Sequence, residues 1–503
     1  KATKRIKGSL KYHIKTLKIY DSPPTLFHLA RHTLLMEEAL AISALEELPC
    51  HLFPELFKGA FTDRHTNVLT AMVSIWPLPC LPVGTLLEEP HLETLKALLD
   101  GLNVQVTQTC NSSHCRCKLR VLDLRRNMHH EFWGMKAVSH EDNCSLQIMA
   151  QKQPMETCPD PERENPFKVV TDFELRDASL DEWTIYLLQW VEQRKSSIHL
   201  CCRKLHVWDS PFSTVIKILE FVDLNCILEL RLSHWRFEFL VDLVPYLEQM
   251  NNLHTLMLEG IKNSLNFTAW EEEEDEWQGS FPFQFSNFSC LQNLYLNDIY
   301  FIEDSLEEWL SCLMTPLETL SITDCPRLLQ SDLECLPRCS NIFKLKHLHM
   351  NAILLSDAVS ELPGLILEKV TSTLQILELE QCGMRDSHFQ ALLPALSKCS
   401  QLLKVNFYHN DISLPVLKRL LCHTANLSQL TQELYPAPLE CYEGNNTILK
   451  DRFKKLCPEL LCFLRTKRLP KKVSFATNAC SQCSHSFYYY YNQEPNDSCY
   501  YYN

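Results

Sequence analysis

Glycine is scarce: ten in 503 residues, against a usual share of about 7%. The nearest pairs, such as Gly84/Gly101 and Gly260/Gly279, are too far apart to build one loop. A phosphate-cradling loop needs closely spaced glycines so that backbone N–H groups can converge on the anion, so nucleotide-binding loops of the P-loop, dinucleotide-fold and kinase kinds are excluded. G-x-S-x-G and H-E-x-x-H are absent too. No constellation of acid, base and nucleophile is visible, so no catalytic activity and no cofactor is expected. Long apolar runs are also lacking. Without a stretch of 18 or more apolar residues no membrane-spanning helix is expected. No apolar segment follows the basic Lys1-Ala2-Thr3-Lys4-Arg5, so no secretory signal is expected either. Positive charge is not in excess: the formal charge is -14 and the pI near 5.8. That argues against a general nucleic-acid binder, which needs a clustered basic face. Cysteine is plentiful, at 24 residues, but Cys325, Cys382 and Cys399 sit where a small apolar side chain is wanted. Reduced thiols in a cytoplasmic protein, with a basic Lys467–Lys472 segment that could aid nuclear entry, are the coherent expectation.

What is abundant is leucine, and it recurs. Leu119-Arg120-Val121-Leu122-Asp123-Leu124-Arg125-Arg126-Asn127 matches L-x-x-L-x-L-x-x-N position by position. Further copies centre on Leu205, Leu230, Leu256, Leu294, Leu320, Leu348, Leu377, Val405 and, more weakly, Leu430. From Leu205 the spacings are 25, 26, 38, 26, 28, 29, 28 and 25 residues. A repeat of about 20–29 residues is the leucine-rich-repeat period. The expected fold is an α/β leucine-rich-repeat solenoid, a horseshoe with a parallel concave sheet and a helical N-terminal segment. Side chains alternate along a strand, so the residue between the leucines faces outward. Asp123, His206, Arg231, Met257, Tyr295, Ser321, His349, Glu378 and Asn406 should therefore form a ladder. The last seven are the expected binding surface for a protein target.

The chain is expected to divide into a basic segment at 1–20, a helical region at 21–117, a first repeat at 118–138 and a flexible insertion at 139–170. Repeats should fill 171–460, with an acidic loop at about 268–280, and an irregular, tyrosine-rich tail should close the chain at 461–503. Asp172 to Arg194 has helical periodicity.

Two short motifs lie in the helical region. Leu26, Ala30 and Leu34 are spaced by four and form one stripe on a helix. Such a stripe can be a core face or a docking face. Thr25-Leu26-Phe27-His28-Leu29-Ala30-Arg31-His32-Thr33-Leu34 resembles the elongin-binding BC box, with Ala30 standing where that pattern has cysteine. Downstream, Leu48-Pro49-Cys50-His51-Leu52-Phe53-Pro54 is similar to the core of a cullin-2 box. Its proline is also a sound helix stop among packed leucines.

Blocks in order along the chain then resemble the PRAME (preferentially expressed antigen in melanoma) family, its PRAME-like or oogenesin branch in particular. They include Glu38-Ala39-Leu40-Ala41-Ile42, Trp76-Pro77, Leu98-Leu99-Asp100-Gly101-Leu102 and Leu200-Cys201-Cys202-Arg203-Lys204-Leu205. Pro316-Leu317-Glu318-Thr319-Leu320 and Leu434-Tyr435-Pro436-Ala437-Pro438-Leu439-Glu440 follow. The resemblance implies a non-catalytic substrate receptor of a cullin-2 RING ubiquitin ligase. Elongin B/C would bind at Leu26, Ala30 and Leu34, cullin-2 at Leu48, Pro49 and Leu52, and the target protein on the repeat sheet. It also implies roles in repressing transcription, apoptosis and differentiation and in promoting proliferation. A ligase-independent scaffold or transcriptional corepressor would use the same sheet.

Other patterns take ordinary readings. His28 and His32 have helical metal-ligand spacing, but no third ligand lies nearby in sequence. Cys480, Cys483, His485 and Cys499 could assemble a zinc site, on the weak signal of a single C-x-x-C. Cys110, Cys115 and Cys117 read as a reduced loop cluster. The L-x-x-L-L stretches at Leu95–Leu99 and Leu417–Leu421 read as helix cores rather than docking motifs.

Overall fold

A computed structural model describes residues 25–87, 91–107, 117–126, 166–176, 179–262, 288–300, 305–444, 447–479, 486–492 and 498–502. The chain forms two compact units, Lys1–Phe167 and Lys168–Asn503. The segment at 118–138, expected to open the repeat array, thus falls in the N-terminal unit. The acidic loop and most of the insertion expected at 139–170 lie outside the described residues. The end of that insertion does not: Phe167 begins a strand.

Among the described residues the N-terminal unit has five α-helices: α1 (Leu26–Met36), α2 (Glu38–Ala44), α3 (Phe53–Thr62), α4 (Thr66–Ser74) and α5 (Leu92–Thr107). Thr25 caps α1, its hydroxyl accepting the His28 N–H at 3.2 Å, one of the donors that a helix start leaves orphaned. Pro54 stands in the first turn of α3, where its missing N–H costs nothing. Trp76 is fully buried, edge-on to Phe57 at 5.2 Å and Phe53 at 6.0 Å. Leu95, Leu98 and Leu99 are fully buried on α5, as a helix-core reading requires.

A short strand, β1 (Cys80–Pro82), pairs in parallel with β2 (Val121–Asp123), Leu81 opposite Leu122. Sequence patterning misses β1 because Pro77, Pro79 and Pro82 crowd it, and proline signals an interrupted strand. Gly84 follows at once. A Cβ there would sit 2.1 Å from the Arg125 carbonyl oxygen, so only glycine lets the two loops meet.

The second unit is a leucine-rich-repeat solenoid. Its strands are β3 (Phe167–Leu175), β4 (Ile198–Trp208), β5 (Glu229–Ser233), β6 (Thr255–Glu259), β7 (Asn293–Asn297) and β8 (Thr319–Thr323). Next come β9 (His347–His349), β10 (Ile376–Glu378), β11 (Lys404–Asn406) and β12 (Gln432–Pro436). From β4 to β12 each pairs in parallel with the next. The register aligns Leu205, Leu230, Leu256, Leu294, Leu320, Leu348, Leu377 and Val405 in one column. Each is at most 1% exposed. Burying one leucine contributes roughly 1.5–3 kcal/mol, so the repeated column is the main stabilising force of this unit. Asp172 to Arg194 is not one helix: β3 runs to Leu175 and the helix begins at Glu182, capped by Asp181.

A second periodicity accompanies the leucines. Asp209, His234, Gly260, Asp298, Asp324, Ala352, Gln381 and His409 all have φ between 45° and 62°. They follow successive strands at the same step as the leucine column, so each repeat from β4 to β11 turns through one left-handed residue. That conformation suits Gly and is tolerated by Asp.

The next member of the column is not Leu430. Val405 pairs with Glu433, and Glu433 in turn with Val473. A carboxylate occupies the leucine's place, 0% exposed. It is held by the Arg468 guanidinium and by the Tyr435 hydroxyl, which donates to it at 2.7 Å.

The tail beyond 461 is not irregular. The helix Lys450–Arg465 crosses that boundary, and β15 (Lys472–Ala476) joins β12 in parallel. Then β16 (Tyr488–Asn492) and β17 (Ser498–Tyr502) add antiparallel strands. A tiny ribbon, β13 (Tyr442–Glu443) with β14 (Thr447–Ile448), precedes them. Four successive tyrosines hide the alternation because one residue type serves both faces: Tyr489 and Tyr491 are buried while Tyr490 is 37% exposed. Rings of Phe389, Phe407, Tyr435, Phe475 and Tyr489 form a chain of contacts at 5.6–6.4 Å, edge-on at Phe389–Phe407, stacked on both sides of Tyr435 and tilted at Phe475–Tyr489. The reversal of strand direction ends the array with a cap, which a solenoid needs at its terminus.

Candidate functional site

Two surfaces, one in each unit, carry the residues singled out in the sequence. The first is α1 and the turn that follows α2. Helix α1 buries only Leu35. Arg31 ties it to α3, bonding Glu55 Oε2 at 3.2 Å and the His28 ring at 2.9 Å. Gly59 admits this contact, since a Cβ there would come within 2.9 Å of Arg31 Nε and 3.0 Å of Leu35. The other side of α1 packs against nothing described. Leu26 is 87% exposed, Leu29 and Phe27 nearly half, and Ala30 is exposed; Leu34 is half-buried. Met36 and Leu40 extend the apolar surface at 67% and 57%. Of the second motif, Pro49 is exposed, with Leu48 and Leu52 half-buried around a single turn closed by Leu52 N–H to Pro49 O at 3.0 Å. Apolar groups gathered in this way mark interaction surfaces. His28 and His32 gather no third potential ligand among the described residues.

The second surface is the open face of the repeat sheet. The ladder is in register: Arg231, Met257, Tyr295, Ser321, His349, Glu378 and Asn406 lie side by side on β5 to β11. Asp123 lies in the other unit. Most ladder charges are already engaged. Arg231 pairs with Glu259 at 2.6 Å, and Glu378 receives His349 at 2.8 Å and Lys404 at 2.6 Å. His206 and Lys204 close on Glu229 at 2.7 and 2.8 Å. Asn406 donates to Glu380 at 2.7 Å. The centre of the ladder, Met257, Tyr295 and Ser321, carries no charge.

These pairs set the titration of the face. The His349 hydrogen bond, opposed by burial and supported by Lys404, holds Glu378 down at about 2 from an ordinary 4.5. His206 and then Lys204 do the same for Glu229, again about 2. A carboxyl held below its unfolded value contributes stability that is complete above that value and lost as pH falls through the folded one. Glu378→Gln and Glu229→Gln should therefore flatten the loss of stability between pH 4.5 and 2. Denaturant midpoints measured across that window check this. Parallel wild-type and variant curves would refute it.

One recess on this face was not legible in the sequence. Glu174, Leu175, Arg176, His206, Val207, Trp208, Arg231 and Ser233 line a cleft of about 340 Å³. Trp208 is 44% exposed and lies against the His234 ring at 4.5 Å. Tryptophan and arginine are the residues that most often anchor a partner. Only His206 and Arg231 could have been placed there from the repeat pattern.

The repeat-embedded cysteines behave as core. Cys325, Cys382 and Cys399 are at most 4% exposed, and burial raises their thiols to about 11, 12 and 12. The cluster proposed at Cys480, Cys483, His485 and Cys499 lies outside the residues whose side chains are described. Leu417, Leu420 and Leu421 are fully buried. No helix among the described residues is long and apolar enough to cross a membrane.

A parallel sheet with an in-register leucine column and a turn repeated at one step defines a leucine-rich-repeat protein. Comparison narrows the class. The PRAME C-terminal domain matches residues 167–499 and the PRAME N-terminal domain residues 23–133. Oogenesin-3 of Mus musculus is 47% identical over 93% of both chains. PRAME family member 20 of Homo sapiens is 40% identical over 93% of this chain and 97% of its own. The chain belongs to the PRAME family. Among solved structures, the leucine-rich repeat-containing protein LegL7 of Legionella pneumophila is similar over 60% of this chain and 98% of that one, at 14% identity and a TM-score of 0.29.

Proposed function

We propose that this protein is a substrate-recognition adaptor of a cullin-2 RING ubiquitin ligase. Elongin B/C docks on Leu26, Ala30 and Leu34, cullin-2 on Leu48, Pro49 and Leu52, and the target protein on the sheet face. The adaptor itself has no catalytic part; ubiquitin transfer belongs to the bound RING and E2 subunits. Removal of its target by degradation is how it represses transcription, apoptosis and differentiation and supports proliferation, acting in the cytoplasm and nucleus.

The observation that carries the reading is the apolar side of α1. A helix whose apolar side is left open by its own unit, with a proline-fixed turn after the next helix in the chain, has the form that a two-part docking surface requires. On the sheet, the uncharged centre flanked by fixed ion pairs suits a partner with an apolar middle and polar ends. The cleft at Trp208 offers that partner an anchor.

Reconstitution tests the order of assembly. Purified chain should bind elongin B/C, and the resulting complex should then bind cullin-2. Changing Pro49 to Ala together with Leu48 to Asp should leave the first step intact and weaken the second by about tenfold or more, since an unpaired carboxylate enters an apolar contact. Loss of both steps together, or of neither, would count against the assigned division of labour.

A further inference from the structure

The repeat sheet carries a group of ligating side chains that the adaptor role does not use. His199 and Cys201 stand near the start of β4, while Asp223 and Cys226 stand in the short turn Leu224–Cys226 and its cap before β5. His199 Nε2 lies 2.8 Å from Asp223 Oδ2. Cys226 Sγ lies 3.7 Å from the same oxygen, and the three ligand atoms are all within 4.8 Å of one another. Cys201, fully buried on the same strand as His199, is not one of the three.

We propose that His199, Asp223 and Cys226 form a zinc site. Bond lengths of about 2.0–2.3 Å put neighbouring donors of a tetrahedral zinc roughly 3.3–3.8 Å apart. The donors therefore need only small shifts to close on an ion. One sulfur, an imidazole and a single carboxylate, with the fourth position left to solvent, suit zinc, whereas calcium and magnesium require shells of oxygen. The backbone holds the two segments together without metal: Asp223 N–H donates to Leu200 O at 3.0 Å and Leu228 N–H to Arg203 O at 2.9 Å. Asp223 is itself oriented, its Oδ1 accepting the Asn225 N–H at 2.9 Å. His199 and Asp223 are each about one-third exposed, so an ion can reach them. Bound there, zinc would staple β4 to the turn that begins the next repeat.

The test uses the full chain, reduced, stripped with a chelator and titrated with cobalt(II) and then zinc. Wild type should develop a thiolate-to-cobalt charge-transfer band with the intense d–d absorption of a tetrahedral centre. Zinc should bleach that band and raise the melting temperature. His199→Ala and Cys226→Ala should lose the band and the thermal shift. Asp223→Asn should weaken binding by more than about tenfold, the effect that even an outer-shell partner exerts. Cys202→Ala should change nothing, because that thiol donates to Lys204 O at 3.2 Å instead. Cys480→Ala with Cys483→Ala should also leave this band intact, which separates it from any site in the tail. His199 is partly exposed, so its variant should fold, and circular dichroism confirms that. An identical band in wild type, His199→Ala and Cys226→Ala would overturn the proposal. So would a reduced chain that binds no metal.

Discussion

Leu26→Asp should abolish co-purification of elongin B/C while leaving the protein folded. The two halves of this expectation have separate physical grounds. Leu26 is 87% exposed, so a carboxylate there stays hydrated in the isolated chain. Its effect on stability should lie within about 0.5 kcal/mol, the usual range for a surface change. In the docked state the same carboxylate would be buried against apolar atoms without a partner, at a cost of several kcal/mol. Affinity should therefore fall by about a hundredfold or more. Leu35→Asp is the informative control, because Leu35 is 1% exposed and holds α1 to the rest of its unit. That change should unfold the N-terminal unit outright, and melting curves distinguish the two outcomes. If Leu26→Asp binds elongin B/C as wild type does, α1 is not the docking helix.

The second large effect is expected inside the solenoid. Arg468→Ala should destabilise the repeat unit by about 3–5 kcal/mol, the cost of leaving one member of a buried ion pair alone. Glu433 has 0% side-chain exposure and Arg468 13%, so water cannot substitute for the lost partner. Burial already pushes the Glu433 carboxyl above its ordinary value, with Arg468 pulling the other way. Glu433→Leu combined with Arg468→Met should recover most of the loss, because apolar replacement of both partners is often close to neutral. Denaturant unfolding of the single and double variants measures this. Near-equal stability of Arg468→Ala and wild type would show that the pair contributes nothing.

That pair also explains what sequence can and cannot convey here. The solenoid is legible because Leu205, Leu230, Leu256 and their successors repeat one physical demand, an apolar side chain filling the same layer. Where a repeat meets that demand differently, the signal fails. Glu433 is paired with an arginine 35 positions on, so no leucine stands at the column position of β12 and the weak pattern at Leu430 misplaces the strand by three residues. Prolines conceal β1, and consecutive tyrosines conceal β16, since neither leaves the alternation by which strands are recognised. On the sheet face the repeat pattern predicts which side chains stand in line, as the register from Arg231 to Asn406 bears out. It cannot predict which of them neutralise one another, because His349, Glu378 and Lys404 come from three different strands. The His199, Asp223 and Cys226 group is hidden for the same reason: its members meet only when successive repeats stack.

The central claim is that one chain joins a cullin-2 ligase to a protein held on its repeat sheet. Quantitative affinity purification with mass spectrometry tests it most directly, comparing wild type with Leu26→Asp and with a sheet-face variant, Tyr295→Arg. Wild type should recover elongin B/C, cullin-2 and a target protein together. Leu26→Asp should lose the first two and keep the target, and Tyr295→Arg should do the reverse. Recovery of sheet-face partners by wild type with no elongin or cullin-2 would contradict the claim and identify the protein as a ligase-independent scaffold.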